Sequence, residues 1–257
     1  MTTDDSRKGS KNTEISEEEF LSGYDPSGLD RPSVAVDVVL LTACEGSLFT
    51  TLVRRETHPC KGCWSLPGGF IRLDEPLEDA ATRVLHDKVG IDGVFLEQLY
   101  TFGDPGRDPR TRVLSVAHMA LIDRRAFEAA QPPREGAAVG RVRVEWAGET
   151  GGPVQVVDDD GQPYELAFDH EDILGMAVKR IRGKLDYTPI GFQLLGDRFT
   201  LLDLQKVHET VLGHPVNKDS FRRRMLASGQ LEATGERQRQ VGHRPAALYR
   251  FARRSAI

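Results

Sequence analysis

The 257-residue chain is 39% hydrophobic and carries 34 Lys and Arg against 39 Asp and Glu, a formal charge of −5. That composition supplies core for one large domain or two ordinary ones, and with no run of about 18 apolar residues a membrane-spanning helix is excluded. The charge is unevenly spread: residues 186–257 hold 12 basic and 7 acidic side chains, net +5, so residues 1–185 carry −10, which points to two modules with different partners.

Residues 1–30 are rich in Ser, Glu, Asp and Lys with few large apolar groups and read as a disordered N-terminal tail. The opening residues lack the apolar core of a secretory signal, so the expected location is the cytoplasm. The β-branched run Ser33 to Leu41 predicts a strand, and Leu48 to Arg54 a second. Cys44, Cys60 and Cys63 make no disulfide framework. Cys60 and Cys63 form a C-x-x-C with His58 nearby, but a structural zinc needs a second ligand pair at usable spacing, so the thiols read as reduced and no metal is assigned.

A glycine-rich approach, Trp64-Ser-Leu-Pro-Gly-Gly-Phe70, leads into Gly69, Glu75, Arg83, Leu85, Gly90 and Ile91, spaced as Gly, five residues, Glu, seven residues, Arg and onward to Gly-aliphatic. This spacing resembles the Nudix box of pyrophosphate hydrolases. Its three remaining acidic positions hold Val84, Asp87 and Lys88 here. On a helix these are related by i, i+3 and i+4 and share a face, where three glutamates would offer oxygen ligands to Mg²⁺. The substituted face is close to neutral, so divalent metal is expected to bind poorly and Lys88 to stand near any bound phosphate as a fixed cation. As a helix, the segment is well formed regardless: Pro76 at its start, Glu78 and Asp79 in the first turn, Gly90 at its stop, and Leu77, Ala80, Ala81, Val84 and Leu85 as a core stripe.

Strand-like stretches follow at Val94 to Phe102 and Arg112 to Ile122, around a turn-rich loop from Gly103 to Arg110. Residues 131–152 and 158–163 are Gly-, Pro- and Asp-rich, with short strands expected at Val142 to Trp146 and Val154 to Val157. Asp169 to Lys184 reads as a helix with Ile173, Leu174, Met176, Ala177 and Ile181 apolar. Beyond Pro189 the character changes. Thr200 and Asp203 resemble a capping box opening a helix that Gly213 ends, and Asn217 caps a second helix, Lys218 to Ser228, stopped by Gly229. Leu231 to Gly235 and Ala246 to Phe251 then pair as strands around a basic loop, giving a winged helix-turn-helix. Phe221 and Met225 anchor the second helix, leaving Ser220, Arg222, Arg223 and Arg224 for the major groove, where Arg pairs with guanine O6 and N7 in a fork. Lys218 is placed for phosphate, and Arg237, Arg239, His243 and Arg244 in the wing for the backbone or minor groove.

The chain as a whole resembles the NrtR-type, Nudix-related transcriptional regulators, in the box already described, in Tyr24-Asp-Pro-Ser27, in Arg31 to Asp37 and in the loop Tyr100 to Arg110. The resemblance implies an α/β Nudix-like sandwich, a mixed sheet with helices, at 31–186 and an α+β winged helix-turn-helix at 187–257. It also implies a homodimeric repressor of NAD biosynthesis or salvage genes that binds double-stranded operator DNA and is released by ADP-ribose. Such a protein is associated with the nucleoid when bound to DNA, has no catalytic residues and needs no cofactor. Arg54, Arg55, Gly68, Gly69, Phe70, Phe102, Asp104 and Arg107 are the pocket residues it implies, to which the charge of the box helix adds Lys88: arginines suit phosphate, glycine amides approach it closely, and an aromatic stacks on adenine. An active Mg²⁺-dependent ADP-ribose or nucleotide pyrophosphatase, using Glu75, Glu78 and Asp87, is the alternative, and a protein-interaction adaptor the third reading.

Overall fold

The computed structural model describes residues 16–129, 135–185, 188–239 and 245–252. Of the expected N-terminal tail, residues 1–15 lie outside the described residues and 16–30 lie within them. Helix α1 (Glu17–Gly23) is opened by a complete capping box in which the Ser16 side chain accepts from the Glu19 N–H and Glu19 reaches back to Ser16. Three glutamates in its first turn also suit the positive end of the helix, a local signal that composition averages away.

From Ser33 onward the described residues pack as one unit. Strand β1 (Ser33–Cys44) is its spine because its side chains are apolar on both faces. Val36, Val38 and Leu40 enter one core and Val39 and Leu41 the other. Around it stand β2 (Ser47–Arg54), β3 (Trp64–Ser65), β4 (Gly68–Phe70), β5 (Glu97–Phe102), β6 (Val113–Leu121), β7 (Ala137–Arg143) and β8 (Gln155–Val157). The order is β5-β6-β1-β2-β7-β8, with β3 on β2 and β4 on β1. Strands β1 and β6 pair in parallel and the other strand pairings among the described residues are antiparallel, so the sheet is mixed.

Strand β7 starts at Ala137, not Val142, inside a stretch whose glycines suggest a loop. Gly140 is there because a Cβ would lie 2.3 Å from Val156 Cγ1 and 2.9 Å from the Tyr164 ring, so close packing rather than a turn selects it.

Helix α2 (Leu77–Val89) covers one face of the sheet through Ala80, Ala81, Val84, Leu85 and Val89, and Gly90 ends it in the left-handed conformation at φ 74°. Burying Val84 and Leu85 contributes about 1.5–3 kcal/mol each. A short helix α3 (Arg124–Ala129) follows β6. Helix α4 (His170–Lys184) covers the other face through Ile173, Leu174, Ala177, Val178 and Ile181.

A 3-10 turn at Pro189–Leu194 leads to α5 (Leu201–Leu212) and α6 (Lys218–Ala227), then to the antiparallel pair β9 (Leu231–Arg237) and β10 (Ala247–Phe251). The caps stand where the sequence puts them. Thr200 and Asp203 form both halves of the capping box, Gly213 closes α5 at φ 76°, and the Asn217 side chain accepts from the Ser220 N–H. Helix α5 serves two cores: Val207 and Val211 join the one under α4, while Leu204 packs with Phe199, Phe221 and Met225 in the winged helix. Among the described residues no helix is long and apolar enough to cross a membrane.

Candidate ligand pocket and nucleic-acid interface

At the β1–β4 edge, Asp37, Arg55, Gly68, Phe70, Arg107 and His170 line a cavity of about 200 Å³. Asp37 is the one charge in the apolar core of β1, and it is kept buried by three neighbours. Ser115 Oγ donates to its Oδ2 at 2.5 Å, Arg107 Nη2 lies 3.6 Å from Oδ2, and His170 Nε2 lies 3.7 Å from Oδ1. His170 Nδ1 accepts the Leu66 N–H at 2.9 Å, so the neutral ring carries its proton on Nε2, facing Asp37. Burial pushes the His170 pKa down against the pull of Asp37 and Asp169, which keeps the imidazole neutral.

Arg107 is fixed by a fork: Nε donates to Asp169 Oδ2 at 2.8 Å and Nη2 to Oδ1 at 2.7 Å. Burial opposes its charge, but Asp169, Asp37 and Asp108 outweigh it and hold the pKa above the ordinary arginine value. Nearby, Arg110 forks onto Asp108 and lies 5.5 Å over the Phe70 ring, and Arg55 lies 4.7 Å over Phe168. Cationic and aromatic groups thus face one opening, a chemistry suited to a phosphorylated, base-bearing ligand. Gly68 is required here, since a Cβ would sit 2.2 Å from Asp37 Oδ1. A larger cleft of about 1430 Å³ lies between the β1–β2 turn and the winged helix. Its lining alternates Arg124, Arg198 and Lys206 with Glu45, Glu209 and Glu236, which leaves no field of one sign to hold an anion.

In the box, Arg83 Nε donates to Glu75 Oε2 at 2.9 Å and Nη2 to Oε1 at 2.5 Å, and Nη2 also reaches the Phe70 carbonyl at 3.2 Å. The Arg83 fork pulls the Glu75 pKa down to about 2 from 4.5. This pair is a brace for the β4–α2 connection. Val84 is buried under Gly69, whereas Asp87 and Lys88 are exposed. In this arrangement the Glu75 carboxylate is held by the Arg83 fork, and Val84 offers no oxygen to the face it shares with Asp87 and Lys88. Because the folded pKa is depressed, the Glu75 contribution to stability is fully present above about pH 4.5 and is lost as pH falls towards 2. Denaturation midpoints of wild type and Glu75→Gln should accordingly differ at pH 5.5 and converge as the pH is lowered to 3; a gap that stays constant would contradict this.

On α6, Phe221 and Met225 are buried, and Lys218, Ser220, Arg222, Arg223 and Arg224 are exposed. Arg222 and Arg223 form no ion pair among the described residues, Arg224 lies 5.7 Å over the Phe221 ring, and in the wing Arg250 is neutralised by a fork onto Glu232. Arg237 and Arg239 are exposed, with Arg237 Nη1 donating to the Pro245 carbonyl at 3.1 Å; His243 and Arg244 lie outside the described residues.

The sequence matches the NUDIX domain over residues 31–158 and the NrtR DNA-binding winged helix domain over residues 191–251. It is 37% identical over 239 residues to the ADPR responsive transcriptional repressor NtrR of Acinetobacter baylyi, across 92% of this chain and 89% of that protein. The chain belongs to the NrtR family. The crystal structure of Shewanella oneidensis NrtR complexed with a 27mer DNA superimposes with a TM-score of 0.68 at 32% identity, covering 85% of this chain and 93% of that one. An ADP-ribose pyrophosphatase of Methanocaldococcus jannaschii is 29% identical over 143 residues, 56% of this chain and 71% of that protein.

Of the pocket residues expected for this NrtR-family chain, Arg55, Gly68, Gly69, Phe70 and Arg107 line the cavity together. Arg54, Lys88, Phe102 and Asp104 stand outside that lining. Arg54 is exposed at the end of β2, with its Nε 3.4 Å from the Gly62 carbonyl, and Lys88 is on the solvent side of α2. Phe102 packs against the core and edge-on to Tyr100, and Asp104 accepts from the Gly106 N–H at 2.7 Å, shaping the loop that delivers Arg107. Sequence reasoning missed Asp37, Arg110, Phe168, Asp169 and His170. Asp37 alone carries a signal, a lone carboxylate in an apolar strand; the others are brought in by tertiary contact.

Proposed function

We propose that this protein is a DNA-binding transcriptional repressor of NAD biosynthesis or salvage genes whose Nudix domain senses ADP-ribose without hydrolysing it. The observation that carries this reading is the pairing, in one packed unit, of a pocket built on Arg107 with a helix presenting Arg222 and Arg223, both exposed and without an ion pair among the described residues. A relative similar along nearly its whole length is named for the same response. A homodimer would set two α6 helices on half-sites about 34–36 Å apart or a multiple of that. The protein would act in the cytoplasm, on the nucleoid when bound to DNA. Non-hydrolysis is supported by the buried Val84 and by the Glu75 carboxylate committed to Arg83.

Gel-shift titrations of single variants test the DNA arm. Arg223→Ala should weaken binding to the specific site by about 1–3 kcal/mol, or roughly 5–150-fold, and relax specificity; Lys218→Ala should weaken binding to all sequences and lower the salt slope by about 1. Two unchanged titrations would remove α6 from the interface. The second reading, an active pyrophosphatase, draws on the similarity to the archaeal enzyme. Mg²⁺-dependent release of AMP from ADP-ribose would establish it, and indifference to every duplex would favour an adaptor.

A further inference from the structure

Helix α4 is anchored at both ends to different machinery. At its start, the N-cap Asp169 holds the Arg107 fork and His170 faces the pocket. Twelve residues on, about 18 Å along the axis, Arg182 reaches the end of α5. Its Nε donates to the Val211 carbonyl at 2.8 Å, and Nη1 donates to the Trp146 and Gly148 carbonyls, both at 3.1 Å. The guanidinium lies 4.7 Å over the Trp146 ring, and a Cβ on the α5 cap Gly213 would come within 3.1 Å of Nη2. Arg182 is only 7% exposed and has no carboxylate partner among the described residues. A buried cation without a counterion persists only where its donors are satisfied, and here the acceptors are three carbonyls, one at the negative end of α5. Between the two ends, α4 touches the backbone of the 146–153 loop so closely that a Cβ on Gly175 would lie 1.9 Å from the Gly152 carbonyl oxygen. Helix and loop are therefore in direct backbone contact, with no room for a side chain between them.

Building on the reading of the chain as an ADP-ribose-responsive DNA binder, we infer that Arg182 is the positioning residue that carries pocket occupancy to the winged helix. A diphosphate entering the pocket competes with Asp169 for Arg107. Releasing that fork frees the start of α4, and the helix transmits the displacement to Arg182 and thence to the last turn of α5. Helix α6 follows, because His208 of α5 packs edge-on against Phe221 of α6 at 4.9 Å. The ligand acts through its different affinity for the two placements of α4.

The experiment is a coupling measurement on the full chain. Affinity for a labelled duplex from DNA flanking its gene is measured with and without saturating ADP-ribose, and ADP-ribose affinity is measured alone by calorimetry. For wild type the duplex affinity should fall by about 5–150-fold with ligand. Arg182→Gln should keep each separate affinity within about threefold while that coupling factor drops towards 1. Full coupling in Arg182→Gln would overturn the inference. A wild type whose duplex affinity ignores ADP-ribose would remove the functional reading and the inference with it. Should Arg182→Gln fail to fold, Trp64→Phe leaves Trp146 as the sole tryptophan with Arg182 intact. Its emission should change on saturation with ADP-ribose, and an unchanged spectrum overturns the inference.

Discussion

Arg107→Met should lower the thermal midpoint by on the order of 10 °C and abolish ADP-ribose binding. The guanidinium is 5% exposed and stands between Asp169, 19% exposed, and Asp37, 9% exposed. Met fills a similar volume but leaves both carboxylates without a cation. Removing one partner of a buried ion pair costs about 3–5 kcal/mol, and in a domain of this size each kcal/mol moves the midpoint by about 2–4 °C. Calorimetric scans of wild type and Arg107→Met, with and without ADP-ribose, check both parts. A melt within about 2 °C of wild type would mean the carboxylates are stabilised by other means. The same substitution tests the pocket, since Arg107 is one of the cations that line it.

Gly175→Ala should cost about 3 kcal/mol or more, although alanine is the better helix former by about 1 kcal/mol. The added methyl would lie 1.9 Å from the Gly152 carbonyl oxygen and 3.0 Å from its carbon, and neither is the end of a flexible side chain. Relief requires α4 to part from the 146–153 loop, beyond the roughly 1–3 kcal/mol typical of overpacking. Trp146 Nε1 pins that loop by donating to the Gly152 and Pro153 carbonyls at 3.1 and 3.2 Å. Urea unfolding checks this, and a free energy within about 0.5 kcal/mol of wild type would show that the loop yields freely.

How much of this was legible depends on the range of the interactions. The caps of α5 and α6 could be read from the sequence because donor and acceptor lie within three residues, as with Thr200 and Asp203. The core stripe of α2 was legible through its period. The start of β7 was not, because Gly140 looks like a loop residue until Tyr164 is laid across it. The pocket divides the same way. Gly68, Gly69 and Phe70 announce themselves by adjacency to the box, whereas Arg107 meets Asp169 across 62 residues and Leu66 meets His170 across 104. Lys88 illustrates the limit of helical geometry alone: spacing relates it to Val84, but packing buries Val84 and leaves Lys88 in solvent. The Cys60 and Cys63 thiols are free and half-buried beside Arg55, whose backbone N–H donates to the Cys63 carbonyl at 2.9 Å, and no role follows from them.

The most direct measurement is fluorescence anisotropy of a labelled duplex taken from DNA beside the protein's own gene, titrated first with protein and then with ADP-ribose. The expected result is tighter binding than to a scrambled duplex of equal length, followed by release on addition of ADP-ribose that is recovered intact. Equal affinity for both duplexes, with ADP-ribose split to AMP when Mg²⁺ is added, would contradict it.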